Sequence, residues 1–177
     1  ESYDDTEVRF PIRYKETVLA AAAEREISPA RVFGIIRGES AFVVTARSGA
    51  GALGLMQLMP ATGAETARRT GIPLGKPEDL LIPEKNIQLG SAYLRQVIRQ
   101  FNGNFALAAA AYNAGPAKVS KLRKEAAKMG LDPNVWFGNV EIVAAKRIGR
   151  ETVQYVSNIF KYYLAYRYIS ERNNSKK

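Results

Sequence analysis

Between Asn104 and Asn113 the chain reads NFALAAAAYN, small and apolar on nearly every side. A helix without a polar face has to be enclosed by other elements, so this segment calls for a packed domain in which it lies centrally. Its surroundings are expected to be helical as well, because no segment alternates apolar and polar residues as a half-buried strand does. At 177 residues the chain fits one compact domain that can bury a core without metals or disulfides. The fold class expected is therefore all-α, a single globular helical domain.

Helical signals recur on both sides of the central run. YKETVLAAAAERE (14–26) combines strong helix formers with an apolar stripe, and Ser28-Pro29 reads as an N-cap followed by proline at the first helical position. In PARVFGIIRGES the residues Val32, Ile35 and Ile36 fall at helical spacing, and Glu39 lies four past Ile35 and three past Ile36, on the same face. ARSGAGALG is a loop by composition, and MPATGAETARRTG is a short helix opened by Pro60 and closed near Gly71. Pro73, Pro77 and Pro83 mark an irregular connection before an amphipathic helix at 84–101, and PAKVSKLRKEAAKM (116–129) reads as a basic surface helix. In RETVQYVSNIFKYYLAYRYI the residues Tyr155, Ile159, Tyr162 and Tyr166 form an aromatic stripe assigned to core packing. Lacking apolar periodicity, residues 1–10 are set apart as a polar N-terminal segment and 170–177 as a polar basic tail, leaving 11–169 as the folded domain.

Residue types that are missing narrow the chemistry. There is no cysteine and no histidine, which removes Ser-His-Asp and Cys-His catalysis and the Cys/His zinc sites, so no metal or other cofactor is expected. Acid–base chemistry then falls to a carboxylate, lysine or tyrosine. The net charge of +9 favours anionic partners: nucleic acid, anionic membranes or cell-wall polymers. Nucleic acid is set aside, since no zinc-finger spacing, RNP-like aromatic pattern or recognisable base-reading helix occurs. No apolar run approaches a membrane span, and ESYDDTEVRF lacks the features of a signal peptide, so the chain reads as cytoplasmic or as a processed fragment.

Glu39 has two readings on the residues alone, a solvated helix-end acid or a functional one. It lies on the apolar face, a glycine-rich loop follows it, and residues 40–64 hold no other acid. A carboxyl in apolar surroundings with no cation fixed beside it has its pKa raised, as a general acid at neutral pH requires; Arg37 or Arg47 would undo this by pairing with it. Acids are absent again from Lys85 to Lys124, although Glu141 or Glu151 can still reach a site through folding.

Taken together and in this order, ESAF, GALGLMQLMP and AYNAGP, with VEIV and RETVQYV downstream, resemble the successive motifs of the soluble-type (SLT) lytic transglycosylase domain, a relative of goose-type lysozyme. The resemblance covers residues 11–169. It implies a lysozyme-like helical domain with a cleft for peptidoglycan glycan strands, Glu39 as catalytic acid/base, and Ser48 at the lip of the following loop. It further implies Gln57 and Met59 lining the cleft, Tyr112 and Asn113 contacting substrate or holding the acid, and Glu141 and Tyr155 as further substrate contacts. Trp136 is open between a sugar-stacking platform and a core aromatic.

Ordinary glycosidases hold two carboxylates ~5–9.5 Å apart. A single Glu39 suits instead the anhydro-forming cleavage of the bond between N-acetylmuramic acid and N-acetylglucosamine that the resemblance implies. The alternatives are a lysozyme-like hydrolase and, in another class, a non-catalytic glycan- or polyanion-binding domain. The resemblance places the protein in the periplasm or cell envelope, its targeting segment absent from this chain, and leaves room for other cell-wall enzymes or further domains as partners.

Overall fold

A computed structural model of the chain describes residues 8–176; residues 1–7 of the polar N-terminal segment and Lys177 of the tail lie outside the described residues. The helices are α1 (Lys15–Glu24), α2 (Pro29–Ser40), α3 (Pro60–Thr70), α4 (Pro83–Gln100), α5 (Phe105–Ala114), α6 (Pro116–Lys128), α7 (Glu141–Arg147) and α8 (Arg150–Asn174). A 3₁₀ turn covers Pro77–Leu81, and a kinked turn at Trp136–Val140 leads into α7. Among the described residues there is no strand, only the isolated bridges Arg47–Leu53 and Leu53–Leu58. Among the described residues no helix is long and apolar enough to cross a membrane.

Prolines start the helices much as their positions suggest. Pro29, Pro60 and Pro116 each stand at the beginning of a helix, where the missing N–H is no loss and the fixed φ is already helical. The expected Ser28 cap does not form: its hydroxyl makes no capping bond, and only its carbonyl is engaged, accepting from Arg31 N–H. Glycines close α3 at Gly71 (φ 77°) and α5 at Gly115 (φ 100°). At the end of α4, Asn102 is left-handed (φ 56°) and Gly103 N–H donates back to the Ile98 carbonyl at 2.9 Å. Helix α8 continues through Ser170–Asn174, which the apolar pattern had set apart as a tail. Helix propensity and the Arg167–Glu171 pair (3.6 Å, one turn apart) carry it past its last apolar residue.

The chain divides into two compact units, one of residues up to 95 with those from 161 on, the other of residues 96–160, the boundaries falling inside α4 and α8. In the first unit Val18, Val32, Ile35, Ile36, Leu55 and Met56 are core residues, and Leu53, Leu58, Leu80 and Leu89 form a cluster with Ile72, Leu74 and Tyr93 packed on it. Phe10 meets the edges of Tyr162 and Tyr166, Phe33 stacks on Tyr166 at 5.2 Å, and Tyr166 Oη donates to the Pro11 carbonyl at 2.9 Å. In the second unit every residue from Phe105 to Ala111 is buried, as an apolar-all-round helix requires. Trp136, 1% exposed, belongs to this core and offers no face to a sugar. Along α8, Ile159 and Tyr166 are buried and Tyr155 and Tyr162 partly so.

Candidate active site

Glu39 occupies the last turn of α2 and is partly buried. The helix stops abruptly because Ala41 (φ 49°) and Phe42 (φ 66°) are both left-handed, a conformation that side chains with a Cβ adopt reluctantly. Ser40 holds this turn together. The single hydrogen of its Oγ is shared between the Ile36 carbonyl (3.1 Å) and the nearer Leu55 carbonyl (2.8 Å), and Oγ accepts from Phe42 N–H (3.2 Å). Arg37, one of the two cations that threatened the acid, is turned to other partners: Nε donates to the Arg9 carbonyl at 2.9 Å and its guanidinium lies over Tyr162, 4.9 Å from the ring centre. The Arg47 side chain is exposed. Beside Ala41 and Phe42, a groove of about 790 Å³ is bounded by Val8 and by Phe10 to Arg13, which precede α1.

The glycine-rich stretch that follows is a tightly bonded double turn. Leu53 and Leu58 exchange both backbone bonds (2.9 and 3.0 Å), and Gly54 N–H donates to the Ala46 carbonyl at 2.9 Å. Ser48 is exposed and its hydroxyl serves the loop itself, accepting from Ala52 N–H at 2.9 Å. Gln57, left-handed at φ 49°, gives both its amide hydrogens to the loop, to the carbonyls of Ala46 (3.0 Å) and Gly54 (2.8 Å), which leaves its amide oxygen as its group for a ligand. Met59 precedes α3 and is 41% exposed.

Underneath lies Asn86, a residue the sequence reading passed over. It is fully buried near the start of α4; its Oδ1 accepts from Met56 N–H (2.7 Å), and its Nδ2 donates to the carbonyls of Leu53 (2.9 Å) and Leu80 (2.8 Å). Its signal was an asparagine in line with apolar Leu89, one turn on. Two glycines make room: a Cβ on Gly54 would meet Asn86 and come within 2.5 Å of the Leu80 carbonyl, and a Cβ on Gly90 would collide with Met56.

The second unit carries the remaining motif residues. Tyr112, part-buried, and Asn113, exposed, close α5, and Asn113 Oδ1 accepts from the buried Thr152 hydroxyl at 2.8 Å. Thr152, on the first turn of α8, is a partner that spacing could not reveal. Glu141 begins α7 with its carboxylate turned back on Gly138 N–H at 2.8 Å, closing a turn that Gly138 makes at φ 71°. Tyr155 is part-buried on α8. Of the basic residues following AYNAGP, Lys118, Lys121, Lys124 and Lys128 are exposed on α6. Arg123 instead binds the Pro133 carbonyl and Asn134 Oδ1, with its guanidinium over Phe101, and so belongs to the packing. Among the described residues no group of three acidic side chains gathers that could hold a metal ion. Thus Glu39, Ser48, Gln57 and Met59 are organised around one loop in the first unit, and Tyr112, Asn113, Glu141 and Tyr155 lie in the second.

Comparison with known proteins places these residues in a wider set. The family model of the transglycosylase SLT domain matches residues 16–133. The soluble lytic murein transglycosylase of Escherichia coli K12 is 36% identical over 177 residues, covering 94% of this chain and 25% of its own length. Haemophilus influenzae has a putative soluble lytic murein transglycosylase, 36% identical over 175 residues, covering 98% of this chain and 28% of its own. Among solved structures, the lytic transglycosylase Slt of Pseudomonas aeruginosa, an inactive mutant with glutamine in place of a glutamate, matches with a TM-score of 0.79 and 42% identity over 94% of this chain and 26% of that one. The chain thus spans about a quarter of the length of these relatives.

Proposed function

The chain belongs to the transglycosylase SLT domain family, and on that footing we propose that it is the catalytic domain of a lytic murein transglycosylase, with Glu39 as its single general acid/base. The observation that carries this reading is the seat of Glu39, on a helix end fixed through Ser40 to the GLMQ loop. The Pseudomonas aeruginosa relative, inactive with glutamine in place of a glutamate, agrees with a reaction that hinges on one carboxyl group.

Protonated Glu39 donates its proton to the glycosidic oxygen linking N-acetylmuramic acid to N-acetylglucosamine, and the bond to the muramyl anomeric carbon breaks. The substrate's own N-acetyl oxygen stabilises the positive charge that develops there. The Glu39 carboxylate then takes the proton from the muramyl C6 hydroxyl as that oxygen closes on the anomeric carbon, forming the 1,6-anhydro ring. Glu39 ends protonated as it began, and no water is consumed. The Gln57 amide oxygen is assigned a hydrogen bond to the sugar, Ser48 and Met59 line its path, and Tyr112, Asn113, Glu141 and Tyr155 are assigned further contacts with the glycan. The exposed lysines of α6 add attraction for the carboxylates of the peptidoglycan peptides. Such a substrate places the protein in the cell envelope.

Mass spectrometry of digested peptidoglycan tests the reading. Anhydromuramyl ends are expected, with a loss of about 10²–10⁴-fold in rate for Glu39→Gln. Reducing muramyl ends would make the protein a hydrolase, and binding without any release of muropeptides would make it a glycan-binding domain.

A further inference from the structure

Six non-glycine residues among those described have positive φ: Tyr14, Glu26, Ala41, Phe42, Gln57 and Asn102. Tyr14, Glu26 and Asn102 stand beside the ends of α1 and α4, and Ala41 likewise caps α2, positions where such conformations are common. Ala41, Phe42 and Gln57 together flank a single hydrogen bond, the one from Ser40 Oγ to the Leu55 carbonyl. Backbone strain of this kind persists only where the surroundings over-determine it. The over-determining group is Asn86, whose three bonds grip Leu53 and Met56 on either side of Leu55 and tie them to Leu80.

We infer that Asn86 is a positioning residue for Glu39, acting through the backbone of Leu53–Met56 and the Ser40 hydroxyl to set where the last turn of α2 lies against the loop that carries Gln57. The inference rests on Glu39 being the acid/base. A leucine of similar size would fill the same space, yet it would remove the amide acceptor of Met56 N–H and one donor each from the Leu53 and Leu80 carbonyls. The Leu53 carbonyl would keep its bond from Leu58 N–H, but the link that ties the loop to Leu80 would be cut. The amide supplies one acceptor and two donors in one plane, matching one N–H and two carbonyls. A proton-transfer group tolerates little displacement, since an error of about 1 Å can cost about 100-fold in rate.

Asn86→Asp separates positioning from packing. The variant keeps the shape but turns an anionic oxygen toward the Leu53 and Leu80 carbonyls, and only its protonated form can donate to one of them. The residues Asn86 touches on the loop and turn, Leu53, Gly54, Met56 and Leu80, bring no titratable side chain.

With the 177-residue chain acting on peptidoglycan, Asn86→Asp is expected to lower kcat about tenfold or more at neutral pH with KM within about threefold of the parent. Its activity relative to the parent should recover as the pH falls. Ser40→Ala should lower kcat in the same way and Ser40→Thr, which keeps a hydroxyl, should restore it. Hydrogen exchange supplies a readout that needs no activity: Asn86→Asp and Ser40→Ala should both speed exchange over residues 37–43 while residues 29–35 stay protected. The inference is overturned by an unchanged kcat in Asn86→Asp, by a loss that merely follows the folded fraction without recovery at low pH, or by unaltered exchange over 37–43. Should Asn86→Asp fail to fold, the Ser40 pair decides by the loss of kcat in Ser40→Ala, its return in Ser40→Thr, and exchange over residues 37–43: no loss or no altered exchange overturns the inference. An active Glu39→Gln variant or an inactive parent would sink the catalytic reading, and the exchange measurement would still decide whether Asn86 holds the end of α2.

Discussion

The loop over residues 46–58 and helix α5 are both written largely in glycine, alanine and leucine, yet they are made rigid by opposite means. In α5 every alanine keeps the helical ladder intact, and burial of Phe105 to Ala111 on all sides supplies the rest. In the loop, Gly51 at φ 100° and Gly54 at φ 79° break the ladder, so the freed backbone groups must find partners elsewhere. They find each other, Ser48, Gln57 and the fully buried Asn86. A helix made of small residues depends on volume and tolerates the loss of a single polar bond. A loop pinned by side-chain amides depends on individual donors and acceptors, and one atom in the wrong place unseats several bonds at once.

That contrast can be broken by mutation. Gly54→Ala should be the most damaging change, because it forces a side chain into left-handed backbone and against Asn86; a cost of about 2–5 kcal/mol is expected from denaturant unfolding. Ala109→Leu attacks α5 through volume, and about 1–3 kcal/mol is expected. If Ala109→Leu proved the more costly of the two, the loop would be softer than its bonding implies.

A control lies outside both regions. Burial raises the Tyr166 hydroxyl well above its ordinary value of 10.0, against a smaller opposing effect of Arg37. The folded protein therefore holds this proton more tightly than the unfolded chain, so stability is complete below about pH 10 and falls as the pH rises beyond it. The decline should be at most about 1.4 kcal/mol per pH unit for this group. Tyr166→Phe should flatten the alkaline melting curve only in part, because burial raises Tyr93 as well. The smallest expected effect is Asn104→Asp, well under about 1 kcal/mol, which keeps the side-chain oxygen that accepts from Leu107 N–H at the start of α5 and removes only the bond that Asn104 Nδ2 donates to the exposed Asn134 carbonyl. A larger loss, measured by denaturant unfolding, would show that the start of α5 depends on that tie to Asn134.

Much of this was visible in the sequence, and what was hidden has a common cause. Helix α2 could be read from Pro29 and from the spacing of Val32, Ile35 and Ile36, because those signals are local. Helix α7 escaped notice because it is short and rests on the Gly138 turn, which Glu141 closes from within. Trp136 stood open between platform and core until burial decided for the core. Asn86 was invisible for a different reason: its partners lie six residues away at Leu80, thirty at Met56 and thirty-three at Leu53, distances at which periodicity carries no information. The hydroxyl of Thr152 meets Asn113 across thirty-nine residues for the same reason. Sequence pattern located Glu39 on its helix; the bonds that fix that helix end are made through space.

The turn that ends α4 also bears on how the protein ages. Asparagine followed by glycine is the sequence most open to deamidation, which begins when the glycine nitrogen attacks the asparagine side-chain carbonyl and expels ammonia. Here that nitrogen belongs to Gly103 and is already bonded to the Ile98 carbonyl. The attack must wait for the last turn of α4 to fray, so the slow appearance of isoaspartate at residue 102 would act as a clock for the opening of that helix end.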